Sequence, residues 1–127
     1  MSLESLRRDV LSAVDTLKGE LIGLSRAIHA EPELSLHEFK AAERLATATE
    51  THAIAVSREA FGMKTAFAAE FGKSDGPVVA VLSEYDALPG IGHACGHNII
   101  AASTPSKAPI RAITSLPPWA SSAGVPR

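Results

Sequence analysis

The chain has 127 residues, 46% apolar and 20% charged, with a formal net charge of −2. That length fits one domain, and the near-neutral balance gives no reason to expect nucleic acid or an anionic membrane as partner. No apolar run reaches the roughly 18–20 residues of a membrane span. The opening MSLESLRRDVLSAVD has no apolar signal core, and one cysteine cannot close an intramolecular disulfide; both fit a reducing, cytoplasmic setting.

Leu3, Leu6, Val10, Val14, Leu17, Leu21, Leu24 and Ile28 step by three or four, the helical period held for seven turns. Ser2 is placed to cap this helix, with Glu4 in its first turn. Gly19 and Gly23 weaken it, so the spacing predicts one long helix or two joined near Gly19, with the first half projecting from a larger body. It stops before Pro32, because the residue preceding a proline avoids the helical region.

Ser35-Leu36-His37-Glu38 has the form of a capping box, with Leu34 and Phe39 at the hydrophobic-staple positions. A second helix is therefore expected from about Leu36 to about Thr49, burying Phe39, Ala42, Leu45 and Ala46. His29, His37 and His52 sit in polar helical surroundings and read as surface or capping residues. Ala53–Ser57 and Lys64–Phe71 are strand candidates. Residues 72–77 (GKSDGP) carry turn chemistry. Pro77–Ser83 (PVVAVLS) is an apolar, β-branched run that predicts a strand buried on both faces, paired with Lys64–Phe71 as a hairpin. Helix, helix, strand, strand and then a polar loop beyond a buried strand predict an α/β fold with its site on that loop.

The loop is SEYDALPGIGHACGHN, Ser83–Asn98. It gathers Glu84, Asp86, His93, His97 and Cys95 on a segment too rich in glycine for a regular helix or central strand. Cys95 and His97 flank Gly96, whose freedom lets both aim at one ion. Thiolate plus imidazole suits zinc or another borderline divalent metal. Asp86 can ligate, or hold a ligand histidine in place. Taken alone, Cys-Gly-His leaves two other readings open. Cys95 can be a small buried residue among packing histidines, or a nucleophile with His93 or His97 as base.

EYDALPGIGHACGHN resembles the signature of the amidohydrolase branch of the metal-dependent aminoacylase/carboxypeptidase family, peptidase family M twenty. The likeness extends upstream through IHAEPELSLHE (Ile28–Glu38) and KTAFAAEFG, and covers about Leu21 to Ser103. Within the family it looks most like the aminobenzoyl-glutamate hydrolase and β-alanyl-dipeptide dipeptidase type, with Asn98 where relatives often have Asp. The resemblance implies Cys95 and His97 as metal ligands and Asp86 as the catalytic-site aspartate that supports the metal from beside it. Glu84 stands where other branches carry a ligand histidine, and His93 belongs to the motif. It also implies a divalent metal, zinc first with manganese or cobalt as alternatives, and hydrolysis of the amide bond in an N-acyl amino acid or dipeptide. The implied fold is the N-terminal part of a three-layer α/β/α metallopeptidase catalytic domain, incomplete, followed by an irregular tail.

Family members run to several hundred residues, and their water-activating glutamate, remaining ligands and lid lie further downstream. Residues 1–103 are thus expected to be a partial catalytic domain. Helix-like IIAAS breaks at Thr104, and residues 104–127 hold five of the eight prolines with no sustained period, an irregular tail or a shifted reading frame. The chain is expected to be truncated and inactive, with exposed apolar faces on Pro77–Ser83 and the first helix. The alternative is a non-enzymatic module that uses that helix to dimerise or to bind another protein chain.

Overall fold

The computed structural model describes residues 2–72 and 79–104. Its elements in chain order are α1 (Leu3–Ala30), α2 (Phe39–Thr51), β1 (Val56–Arg58), β2 (Phe67–Ala69) and α3 (His97–Ser103). It is a helix-rich α/β arrangement with a two-stranded antiparallel sheet.

The first helix forms as one unbroken rod of 28 residues. Ser2 caps it, its side chain accepting from the Ser5 amide at 3.1 Å, and the chain leaves the helix at Glu31, one residue before Pro32. Only its C-terminal part is anchored by side-chain hydrogen bonds to other elements. His52 Nε2 meets Glu20 Oε1 at 2.9 Å, and Arg44 donates to the Ala27 carbonyl at 3.2 Å. Ile28 is fully buried in the core with Ala41, Leu45 and Ala101, and Leu24, Phe67 and Tyr85 pack against them. The expected apolar exposure is present nearer the N-terminus: Leu3, Leu11 and Val14 stand out to solvent.

The second helix starts later than its sequence suggests, and the capping box does not form. Leu36 adopts a left-handed backbone, φ 66°, which no helix can contain. Glu38 is the cap residue, without a side-chain cap bond. The exposed amides are satisfied from outside the motif. Glu33 Oε1 accepts from the Lys40 amide at 3.1 Å, and Glu33 Oε2 accepts from the Ala41 amide at 2.9 Å. A carboxylate is well suited to this end of a helix, where unpaired N–H groups and the helix dipole both favour negative charge. The buried face is Ala41, Leu45, Ala46 and Thr49. Phe39 and Leu34, expected to staple the turn, are instead about half exposed.

Around the start of α2, Glu31 pairs with Lys40 at 2.8 Å and with Arg44. The other end is held by Arg58 of β1, which donates to Glu43 at 3.2 Å and to Glu50 at 3.1 Å. The three histidines read as surface or capping residues behave so. His29 is exposed in the last turn of α1, His37 Nδ1 lies 3.2 Å from the Ser35 carbonyl, and His52 caps α2.

Strand pairing differs from expectation. The two short candidates pair with each other, Val56 opposite Ala69 and Arg58 opposite Phe67. The described part of the apolar run, residues 79–83, forms no strand, and Val79, Val81 and Leu82 are 50%, 45% and 83% exposed. A β-branched run is buried only between neighbouring strands and covering helices. With Phe67–Ala69 taken by β1, this run has no sheet partner among the described residues. Residues 105–127, most of the expected irregular tail, lie outside the described residues. The helix after Asn98 does end where the sequence predicts, at Ser103. No helix among the described residues is long and apolar enough to cross a membrane.

Candidate metal centre

The glycine-rich loop is fastened at three places before it delivers its side chains. The Ala87 amide donates to the Glu33 carbonyl at 2.7 Å, docking the loop beside the turn between α1 and α2. Leu88 and Gly92 then exchange backbone bonds of 2.9 and 3.1 Å, closing a tight turn. Gly92 has φ 59° and approaches Pro32 so closely that a Cβ there would lie 3.9 Å from the proline ring. Finally Gly96, at φ 80°, turns the chain into α3. That is the conformational freedom the sequence assigns to it. Asn98, 5% exposed, ties α3 to α1 by donating to Ser25 Oγ at 3.0 Å and to the Ser25 carbonyl at 3.3 Å.

His97 is the centre of the resulting cluster. Its Nδ1 lies 2.7 Å from Asp86 Oδ1, and its Nε2 lies 3.3 Å from Glu84 Oε2. The three side chains offer one atom each within 4.8 Å of one another. Asp86 holding Nδ1 fixes the ring and leaves Nε2 facing Glu84, the carboxylate–histidine pairing that orients metal ligands. The 3.3 Å between Nε2 and Glu84 is also about the spacing of two donors sharing one tetrahedral ion with bonds of roughly 2.0–2.1 Å. One imidazole and two carboxylates therefore fit a divalent ion on their chemistry and their spacing.

The sequence-predicted residues are placed unequally. His97 and Asp86 come together as expected. Cys95 is exposed, and its Sγ lies 3.9 Å from the Asp86 backbone carbonyl, beside the cluster of three and not within it. Glu84, whose role the sequence leaves undefined, is the third member. His93 is buried, with neither ring nitrogen hydrogen-bonded, and its ring lies 6.2 Å from that of His29. Burial, then the nearby His29 and His97, hold its pKa below the ordinary histidine value. Tyr85 turns inward between Glu84 and Asp86 and donates its hydroxyl proton to the Thr65 carbonyl. Burial above all, with the charge of Glu38, pushes its pKa up to about 12.

No family model matches the chain. Individual relatives do. The chain is 40% identical to the Xaa-Arg dipeptidase of Mus musculus over 91% of its own length and 30% of that protein's. It is 31% identical to one of the subunits of the p-aminobenzoyl-glutamate hydrolase of Escherichia coli, over 77% of the chain and 24% of the relative. It is 34% identical to an N-acetyl-L-cysteine deacetylase of Bacillus subtilis, over 67% and 24%. These names describe one class, hydrolases of amide bonds. The chain belongs to their family, the amidohydrolase/dipeptidase family called peptidase family M twenty. It spans between a quarter and a third of the length of the curated relatives it matches most extensively.

Proposed function

We propose that this chain carries the metal-binding loop of a divalent-metal hydrolase that cleaves the amide bond of N-acyl amino acids or dipeptides. The observation that carries the reading is the His97 ring held by Asp86 with its other nitrogen facing Glu84. The names of the relatives support the bond type. Zinc is the first candidate ion, with manganese or cobalt next, and Cys95 joins His97 as a ligand once its exposed thiol turns toward the cluster. When bound, such an ion supplies Lewis-acid polarisation and activation of water.

In the same reading the described residues belong to the N-terminal part of a three-layer α/β/α catalytic domain. The exposed Val79, Val81 and Leu82 suit a strand waiting for sheet neighbours. Residues 1–103 then hold the domain portion and 104–127 the irregular tail. A free, exposed thiol that serves as a ligand suits the reducing cytoplasm. The 127-residue chain alone binds metal and turns over little. Among the described residues no further carboxylate joins the cluster to act as general base.

Calorimetric titration of the chain with zinc, cobalt and manganese, beside a hydrolysis assay on N-acyl amino acids and dipeptides, tests this reading. One ion bound per chain, lost in His97→Ala, with hydrolysis near the blank rate is the expected result. Absence of metal binding, or binding indifferent to both His97→Ala and Asp86→Ala, overturns it.

A further inference from the structure

Glu38 has no task in the metal cluster, yet it is 7% exposed and its Oε2 has no hydrogen-bond partner. Ser83 Oγ is buried and unpartnered in the same way. Both residues line one cavity of about 230 Å³. Glu84 and Asp86 line it as well, so it adjoins the His97 cluster. No lysine, arginine or histidine is among its lining residues. A carboxylate buried without a counter-charge is costly, and three carboxylates on one cavity favour an occupant that brings positive charge.

The remaining walls narrow the chemistry. Leu36 and Met63 stand at the cavity with 66% and 45% of their surface exposed. A bare ion would leave these apolar surfaces wet. An alkyl stem would cover them while its charged end reached the carboxylates. We infer that this cavity is a subsite for an alkyl chain ending in an ammonium or guanidinium group, with Glu38 and Ser83 as its recognition residues. Ser83 Oγ accepts one N–H, and Glu38 supplies the charge-assisted bond. As a determinant of substrate choice, favouring a basic side chain next to the cleaved bond, the subsite rests on the hydrolase reading above. As a cation site it does not.

The test uses the full 127-residue chain and three probes: butylguanidinium, butylammonium and the neutral isostere butylurea. Binding is followed by calorimetry or by amide chemical shifts. A cation is expected to bind more tightly than butylurea, with the preferred head group read from the two cationic probes. Glu38→Gln should weaken the cation roughly ten- to hundred-fold and leave butylurea unchanged. His97→Ala should leave the preference in place. Equal binding of butylurea, or a preference that survives Glu38→Gln, overturns the inference. So does a loss in His97→Ala as large as in Glu38→Gln, which would put the cation at the metal cluster. Zinc that displaces the probe from the His97→Ala chain would make the cavity a metal site and also overturns it. Should circular dichroism show that Glu38→Gln does not fold, Ser83→Ala is read by the same criteria. Cation binding without zinc binding would sink the hydrolase reading alone, and zinc binding without cation preference would sink this inference alone.

Discussion

Glu33 decides where α2 begins, and the substitution Glu33→Ala measures it. The change removes two hydrogen bonds, at 3.1 Å to the Lys40 amide and 2.9 Å to the Ala41 amide. Loss of a helix cap costs about 1 kcal/mol in a typical case, and loss of negative charge at a helix N-terminus adds about 0.3–1 kcal/mol. Ala41 is 2% exposed, so water cannot readily replace its lost partner, and the sum belongs near about 1.5–2 kcal/mol. In a domain of this size that is a fall of roughly 6–16 °C in melting temperature. Ser35→Ala is the control. The Ser35 side chain makes no cap bond to α2, and its carbonyl contact with His37 survives truncation, so a change within about 0.5 kcal/mol is expected. Thermal and urea unfolding followed by circular dichroism reads both variants, and exchange at the Lys40 and Ala41 amides localises the effect. If Ser35→Ala destabilises as much as Glu33→Ala, the capping box is the real device and the reasoning from Glu33 fails.

Three further outcomes are expected. Gly19→Ala and Gly23→Ala should each stabilise by about 0.5–1 kcal/mol, since a Cβ at either position meets nothing within 4 Å and alanine favours a helix interior; a lower melting temperature in either variant would reveal a contact on that face. Hydrogen bonds from Lys40 and then Arg44 lower the Glu31 pKa from 4.5 to about 2. A depressed carboxylate contributes stability above its unfolded pKa and loses it as pH falls through the folded one, so the loss runs from pH 4.5 to about 2. Unfolding titrations across that window should show a shallower acid slope in Glu31→Gln and a smaller difference in high salt, because the pair is exposed. Asp86→Ala should weaken zinc binding about 10–100-fold while His97→Ala abolishes it, as calorimetry would show; equal affinity in Asp86→Ala and the parent chain would remove Asp86 from the centre.

What the sequence makes legible in the fold is local. The long helix, its Ser2 cap and its stop before Pro32 depend on residues within a turn or two of one another, and all three are present. The end of α3 at Ser103 is local in the same sense. The capping box is local too, yet it fails. A single left-handed residue, Leu36, breaks the spacing on which it depends, and a side chain five residues ahead of the helix takes over. The apolar run at 79–83 fails for the opposite reason. Its residue types describe a buried strand, but burial is a property of neighbours, and β2 is already paired with β1.

The centre divides along the same line. Gly96 at a positive φ and the closeness of His97 to Asp86 follow from a short motif, and the resemblance names both residues. Glu84 joins them only because the loop folds back across thirteen residues to His97, and no spacing rule predicts that return. Glu38 is hidden more deeply. In the sequence it has the form of half a capping box, a role that explains a glutamate completely and so invites no second question. Only the burial of its carboxylate, without the amide partner that the box requires, separates a cap residue from a residue held ready for a ligand. A failed structural role is thus the signal. Where a polar side chain has lost the local bond its motif implies and is still buried, its partner must come from outside the described residues. The cavity it lines states the partner's charge.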